Sequence, residues 1–171
     1  MKNKQKGFSL IELLIVVAII LIIAAIAIPN LMRAKMAANE ASAVASLRTY
    51  NTTIVAYATT YGTDPSTGFA QLGPAAVPSA ASADLIDSLL GVAAPVKSGY
   101  TFTYTPDPAP VGVAPNQVFS VYTIVAAPSA ASTGQRKFFT NQTGVIWQTT
   151  NGTTPTSVIC VSGNATCTPI G

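Results

Sequence analysis

The sequence predicts an α+β protein: one long N-terminal α-helix, apolar in its first half and amphipathic in its second, packed against a small antiparallel β-sheet. Three observations predict it. Leu13 to Ile28 is an unbroken run of Leu, Ile, Val and Ala. Beyond Pro29, the residues Val44, Leu47, Tyr50, Ile54, Tyr57 and Tyr61 recur at intervals of 3, 3, 4, 3 and 4, which is one face of a helix. After residue 99, stretches such as "YTFTYT" alternate aromatic residues with threonine, as half-buried strands do.

The first element has the length of a membrane span. With Phe8 to Ile11 the apolar segment reaches about 21 residues, or ~31 Å as a helix, enough to cross a bilayer core. Lys2, Lys4 and Lys6 precede it, which keeps the N-terminus in the cytoplasm and sends the rest across. Arg33 and Lys35 beyond the far end make that bias modest. Removing the three leading lysines leaves six basic against six acidic side chains, so the basic pI reports the leader and not a nucleic-acid surface. Glu12 interrupts the run. A charge at a bilayer centre costs roughly 2.5–3.5 kcal/mol on insertion scales, so such a residue calls for a partner. Three readings fit the segment: a cleavable signal peptide with "AIA" at 25–27 as its cleavage site, a permanent anchor, or a processed subunit of an assembly. Glu12 inside the run, and the helix pattern continuing past the supposed cut, argue against the first.

The string "KGFSLIELLIVVAIILIIAAIAIPNL" closely resembles the type IV pilin and pseudopilin family. The resemblance implies a short basic leader, residues 1–7, removed after Gly7 by prepilin peptidase on the cytoplasmic side. It implies Phe8 as the new N-terminal residue, N-methylated by the same enzyme. Glu12 matches the family's glutamate, expected to meet the Phe8 amine of a neighbouring subunit during assembly. Pro29 matches its helix-kinking proline. The implied function is a structural subunit that polymerises into a type IV pilus, serving attachment, twitching motility or DNA uptake. The implied partners are further copies of the chain, the inner-membrane assembly machinery and, before assembly, lipid. The location is the bacterial inner membrane first and an extracellular filament afterwards. A pseudopilin of a type II secretion system is the nearest alternative. Some of those carry a calcium site of C-terminal carboxylates, and here no Asp or Glu follows Asp107.

The remaining elements follow in order. Residues 8–29 form the apolar half-helix. At Pro29 the missing N–H and the ring predict a kink, with Ile28 pushed away from α geometry. Residues 30–62 form the amphipathic half, with Leu47, Ile54 and Tyr57 as core, and Gly62 supplies the stop. Residues 63–99 shift to Pro, Ser, Ala and Gly and read as a connection. Within it, "SADLIDSLLG" predicts a short helix with Asp84 as N-cap and Gly91 as stop. Asp84 and Asp87 are the closest acid pair in the chain, read as capping rather than as a cation site. Residues 100–171 supply four strands, "YTFTYT", "QVFSVYTIVA" and two around a turn at "NQTG", followed by a C-terminal loop. The second half of the helix is the natural cover for that sheet.

The chemical vocabulary is sparse. There is no histidine, hence no commonest general base or metal ligand. No nucleophile motif or phosphate loop occurs, so no enzyme activity, cofactor or metal is expected. Arg136 and Lys137 are a basic pair expected to sit solvated on a strand rim, with DNA contact only weakly supported. Cys160 and Cys167 flank "VSGNAT", which suggests a turn, and an exported compartment permits a disulfide between them.

Overall fold

The computed structural model describes residues 8–106, 122–149 and 167–170. One helix, α1 (Leu10–Tyr61), accounts for the N-terminal part. It is followed by a single 3-10 turn (Phe69–Leu72) and six strands: β1 (Val96–Lys97), β2 (Tyr100–Pro106), β3 (Tyr122–Pro128), β4 (Lys137–Asn141), β5 (Ile146–Thr149) and β6 (Cys167–Ile170). The chain divides into two compact units, Met1–Lys35 and Met36–Gly171.

Helix α1 runs through Pro29 without interruption, and Ile28 remains helical. That corrects the expectation that Ile28 leaves α geometry: proline removes one backbone bond, and the turns on either side keep theirs. The helix ends as expected. Gly62 adopts φ +75°, and its N–H donates to the Ala58 carbonyl at 2.8 Å, the single-bond left-handed cap that glycine enters without a Cβ clash.

In the second unit the helix buries one stripe. Ala43, Leu47, Tyr50, Ile54 and Tyr57 are buried, at spacings of 4, 3, 4 and 3, and the predicted Val44 and Tyr61 pack at its margins. Burying Leu47 and Ile54 contributes about 2 kcal/mol each. Buried hydroxyls on this stretch satisfy themselves locally. Ser46 Oγ donates to the Ser42 carbonyl at 3.0 Å and Thr53 Oγ1 to the Thr49 carbonyl at 2.7 Å, which removes the cost of burying them unpaired.

The sheet is an antiparallel meander in chain order, β1 to β6. Its alternation supplies the other half of the core: Tyr100 and Phe102 on β2, Tyr122, Ile124 and Ala126 on β3, Phe138 on β4 and Ile146 on β5. Phe102 opposes Ala126, and Ala126 opposes Phe138, so large and small residues interleave across three strands. Ring contacts connect helix and sheet, with Tyr50 stacked on Phe69 at 4.0 Å and tilted against Phe102 at 5.6 Å. Strand β4 is covered on both faces. Its Phe139 packs with Cys167, Val125 and Trp147 in a second, smaller cluster.

Among the described residues, six strands replace the four expected. β1 is a two-residue strand joined to β2 by a tight turn at Ser98–Gly99, both at positive φ, and its pattern is too short to show. β6 pairs with β5 in what read as a C-terminal loop. The turn at "NQTG" is present: Gly144 N–H donates to the Asn141 carbonyl at 2.9 Å. The first half of the expected "QVFSVYTIVA" strand lies outside the described residues.

The expected short helix at "SADLIDSLLG" is absent. The backbone there pairs with the 3-10 turn instead: Ala83 N–H donates to the Gln71 carbonyl, Asp84 N–H to Gly73, and Leu85 and Ile86 N–H to Leu72. Gly73 and Gly91 pack backbone to backbone, and a Cβ on either would collide with the other. Asp84 is not an N-cap; it sits at φ +51°. Asp87 does the capping, its Oδ1 accepting from Leu90 N–H at 2.8 Å.

Candidate functional site

Helix α1 opens with a side-chain cap. Ser9 precedes the first helical residue, and Glu12 is the third residue of the helix. Glu12 Oε2 accepts a hydrogen bond from the Ser9 backbone N–H at 2.9 Å. Leu13 N–H donates to the Ser9 carbonyl at 3.3 Å. Ser-x-x-Glu is the pattern of a capping box, in which the acid satisfies the cap residue's own N–H. The charge also faces the positive end of the helix dipole. Glu12 thus has a local role that needs no second chain. Among the described residues it has no ion-pair partner.

Around this end every large apolar side chain is exposed. From Leu10 to Met32 the exposures run from 46% to 80%, and Phe8 reaches 86%. Mean hydropathy reaches 3.3 over the most apolar 18 residues of α1, and the helix is long and apolar enough to cross a membrane. Gly7 lies outside the described residues, as does Cys160. Cys167 is buried in β6 and is disulfide-bonded.

A second glutamate on the same helix has the opposite surroundings. Glu40 is 7% exposed. Its Oε1 accepts from the backbone N–H groups of Gln135 and Arg136 at 3.0 and 3.2 Å. Its Oε2 takes Arg136 Nε at 2.7 Å and pairs with Nη2 at 2.6 Å. Arg136 Nη1 goes on to Gln148 Oε1 at 2.9 Å. Burial pushes the Glu40 carboxyl up, but the Gln135 N–H, the Arg136 side chain and the Arg136 N–H together hold it below the usual carboxylate range. The Tyr100 hydroxyl donates to the Arg136 carbonyl at 2.8 Å, closing the knot.

This corrects the expectation of a solvated basic pair. Arg136 is paired with Glu40 and is not a free cation on a strand rim. No local pattern marks Glu40 in the sequence, because its partner is 96 residues away.

Asp84 and Asp87 are both exposed. Among the described residues, no group of three or more His, Cys, Asp or Glu could hold a metal ion. The buried polar groups nearest the core are tyrosines, whose hydroxyls are used as donors: Tyr50 to the Leu90 carbonyl at 2.9 Å, Tyr57 to Ala80 at 2.6 Å and Tyr104 to Pro65 at 2.7 Å. Burial makes all three phenols harder to ionise, raising their pKa, and pushes that of Tyr122 up to about 12, with the Asp64 charge adding to it. Nothing in this arrangement presents a nucleophile beside a base.

Comparison with known proteins points to the N-terminal segment. Residues 2–28 match the family model described as the prokaryotic N-terminal methylation motif. Over 47 residues the chain is 60% identical to the type IV wide pilus major component PilA4 of Thermus thermophilus, a match covering 28% of this chain and 35% of that protein. The match thus spans about a third of the length of that curated relative. No solved structure matches the chain.

Proposed function

We propose that this chain, a type IV pilin-family protein by its N-terminal segment, is a structural subunit that polymerises into a pilus filament after prepilin peptidase removes residues 1–7. The observation that carries the reading is the unpartnered apolar surface from Leu10 to Met32 directly behind Glu12. Such a surface needs lipid, or other copies of the same helix, in place of water. Before assembly the helix would stand in the inner membrane; afterwards it would lie in a filament core outside the cell. The family is one of structural subunits.

In this reading Gly7 and Phe8 form the processing junction, and Phe8 carries the methyl group. Cleavage creates a cation, the Phe8 amine, close to Glu12. In a filament, the amine of an incoming copy meets Glu12 of its neighbour, and only one stagger brings the two charges together. The capping bond from Ser9 occupies Oε2 and leaves Oε1 for that contact. Pairing in a low-dielectric core offsets much of the desolvation cost that a lone carboxylate would carry. Pro29 would bend the helix within the assembly. The disulfide at Cys167 would be closed by Cys160, contributing about 2–2.5 kcal/mol through the short loop.

The pilus is favoured over a secretion pseudopilus because no carboxylate follows Asp107, which leaves a C-terminal calcium cage without acidic ligands. The test is the N-terminal mass of protein sheared from the cell surface. The expected species begins at N-methylated Phe8 and is recovered from filaments. A mature chain beginning at Ile28, found free and not in filaments, would overturn the reading in favour of an ordinary secretory signal.

A further inference from the structure

Beside the Glu40–Arg136 knot lies an open groove of about 530 Å³ that the fold itself does not fill. Val44, Phe138, Pro169 and Ile170 give it an apolar lining, and Arg48 adds a cation. The charge of Glu40 is consumed by Arg136. Arg48 is exposed and has no carboxylate within ion-pair distance among the described residues. Among the described residues, the groove therefore carries a positive charge with no ion-pair partner next to apolar surface.

Elsewhere on the same unit is a surface with the opposite character. In the segment 84–92, Ile86 and Leu90 turn inward and are buried, while Leu85, Leu89 and Val92 are 38%, 50% and 42% exposed. Asp84 and Asp87 are exposed beside them. The segment is held from behind by the backbone bonds to residues 72 and 73, so it presents a preformed ridge. Of the chain's six acids, Glu12 lies in the apolar segment, Glu40 is paired, Asp64 is partly buried beside Tyr104 and Tyr122, and Asp107 lies outside the described residues. Asp84 and Asp87 are the exposed acids that remain.

Ridge and groove cannot meet within one copy. Tyr50 reaches the ridge, its hydroxyl donating to the Leu90 carbonyl. Arg48 is two positions earlier, which places it ~200° around the helix from Tyr50. A contact between the two surfaces has to join two copies. Because it uses different patches on each, it is heterologous and repeats from copy to copy instead of closing as a dimer.

We propose that the Asp84–Val92 ridge of one copy docks into the groove of a second copy, with Leu85 and Leu89 against Val44, Phe138 and Ile170, and with Asp84 and Asp87 facing Arg48. This deepens the filament reading and rests on it. It supplies a contact between the sheet-bearing units that is separate from the apolar helices. Apolar burial carries the affinity, and the charges fix the register, since a pair at an interface rim is worth little by itself.

The test is a double-mutant cycle in full-length chain, read as filaments sheared from cells that contain no other copy. Arg48→Glu should lower filament yield about tenfold in the native background, by placing like charges together. In an Asp84→Asn, Asp87→Asn background the same change should cost less than twofold. Asparagine tolerates the positive φ of residue 84 and keeps an acceptor for Leu90 N–H, so the background folds. A photo-crosslinking residue at Leu89 should link one copy to residues around Val44 and Ile170 of another. If the native chain forms filaments but Arg48→Glu has the same effect in both backgrounds, or Leu89 links to lipid or to an unrelated protein, the docking is overturned and the filament reading stands. If the native chain is processed at Phe8 and yields no filament at all, both fall together.

Discussion

Glu12 and Glu40 stand on one helix, and the protein treats them in opposite ways. Glu40 is buried among partners from its own chain: two backbone N–H groups and a guanidinium. Glu12 is exposed, holds a single N–H from Ser9, and is followed by large apolar side chains that are all exposed. The first half of α1 is written for an environment that one copy cannot provide. The second half finds a core for its apolar stripe and partners for its carboxylate within the monomer. A sequence that is apolar all round and one that is apolar along a stripe differ in where their partners come from.

Removing Glu12 gives the largest expected effect. Glu12→Ala should abolish filaments while the precursor is still inserted and cleaved, and insertion should improve because an apolar-phase charge is gone. Filament yield at equal membrane levels of subunit measures it. Normal yield would reduce Glu12 to its capping bond and erase the contrast with Glu40.

Glu40→Ala should act on the fold instead. It strands two N–H groups and a partly exposed guanidinium, a cost of about 2–4 kcal/mol. Urea unfolding of the purified chain in detergent reads it, and Arg136→Ala in the same background should add little. Acid sharpens the point. A carboxyl held below its unfolded value of ~4.3 contributes stability that is complete above that value and lost as pH falls through the folded one. Native chain should therefore lose more stability than Glu40→Gln between neutral pH and about 3.

The next effect is alkaline. Tyr122, pushed up to about 12 by burial and by Asp64, favours the fold fully below its unfolded value and loses that contribution as pH rises through the folded one. Its share is about 2.7 kcal/mol at most. Phenolate absorbance should rise together with the loss of circular dichroism, while Glu12→Ala leaves that curve unchanged. The smallest effect is Tyr50→Phe. Losing the bond to the Leu90 carbonyl should cost about 1 kcal/mol in unfolding, with the Tyr50–Phe69 stack retained.

What could be read beforehand divides along the same line. The long helix, its Gly62 stop, the stripe through Leu47, Tyr50, Ile54 and Tyr57, and the central strands were all legible, because each is a local pattern with a fixed period. The false helix at "SADLIDSLLG" had a helical pattern, but its backbone bonded to the 3-10 turn, a tertiary partner that no periodicity reports. β1 and β6 were too short to carry a pattern. The capping box at Ser9–Glu12 was in plain view as Ser-x-x-Glu, yet the surrounding apolar run turned attention to a distant partner. The Glu40–Arg136 pair had no local signal, since its members are joined only through the folded sheet.

The meander also has a consequence for the order in which the molecule forms. Each strand from β2 to β6 pairs with its predecessor in the chain, so the sheet has a low contact order and can zip in the direction of synthesis. The helical stripe that the sheet covers is made before any strand emerges. It stands ready as a template. The bonds from Glu40 close across nearly a hundred residues, and only once β4 has arrived. They act as a late latch on a structure assembled from its N-terminal end.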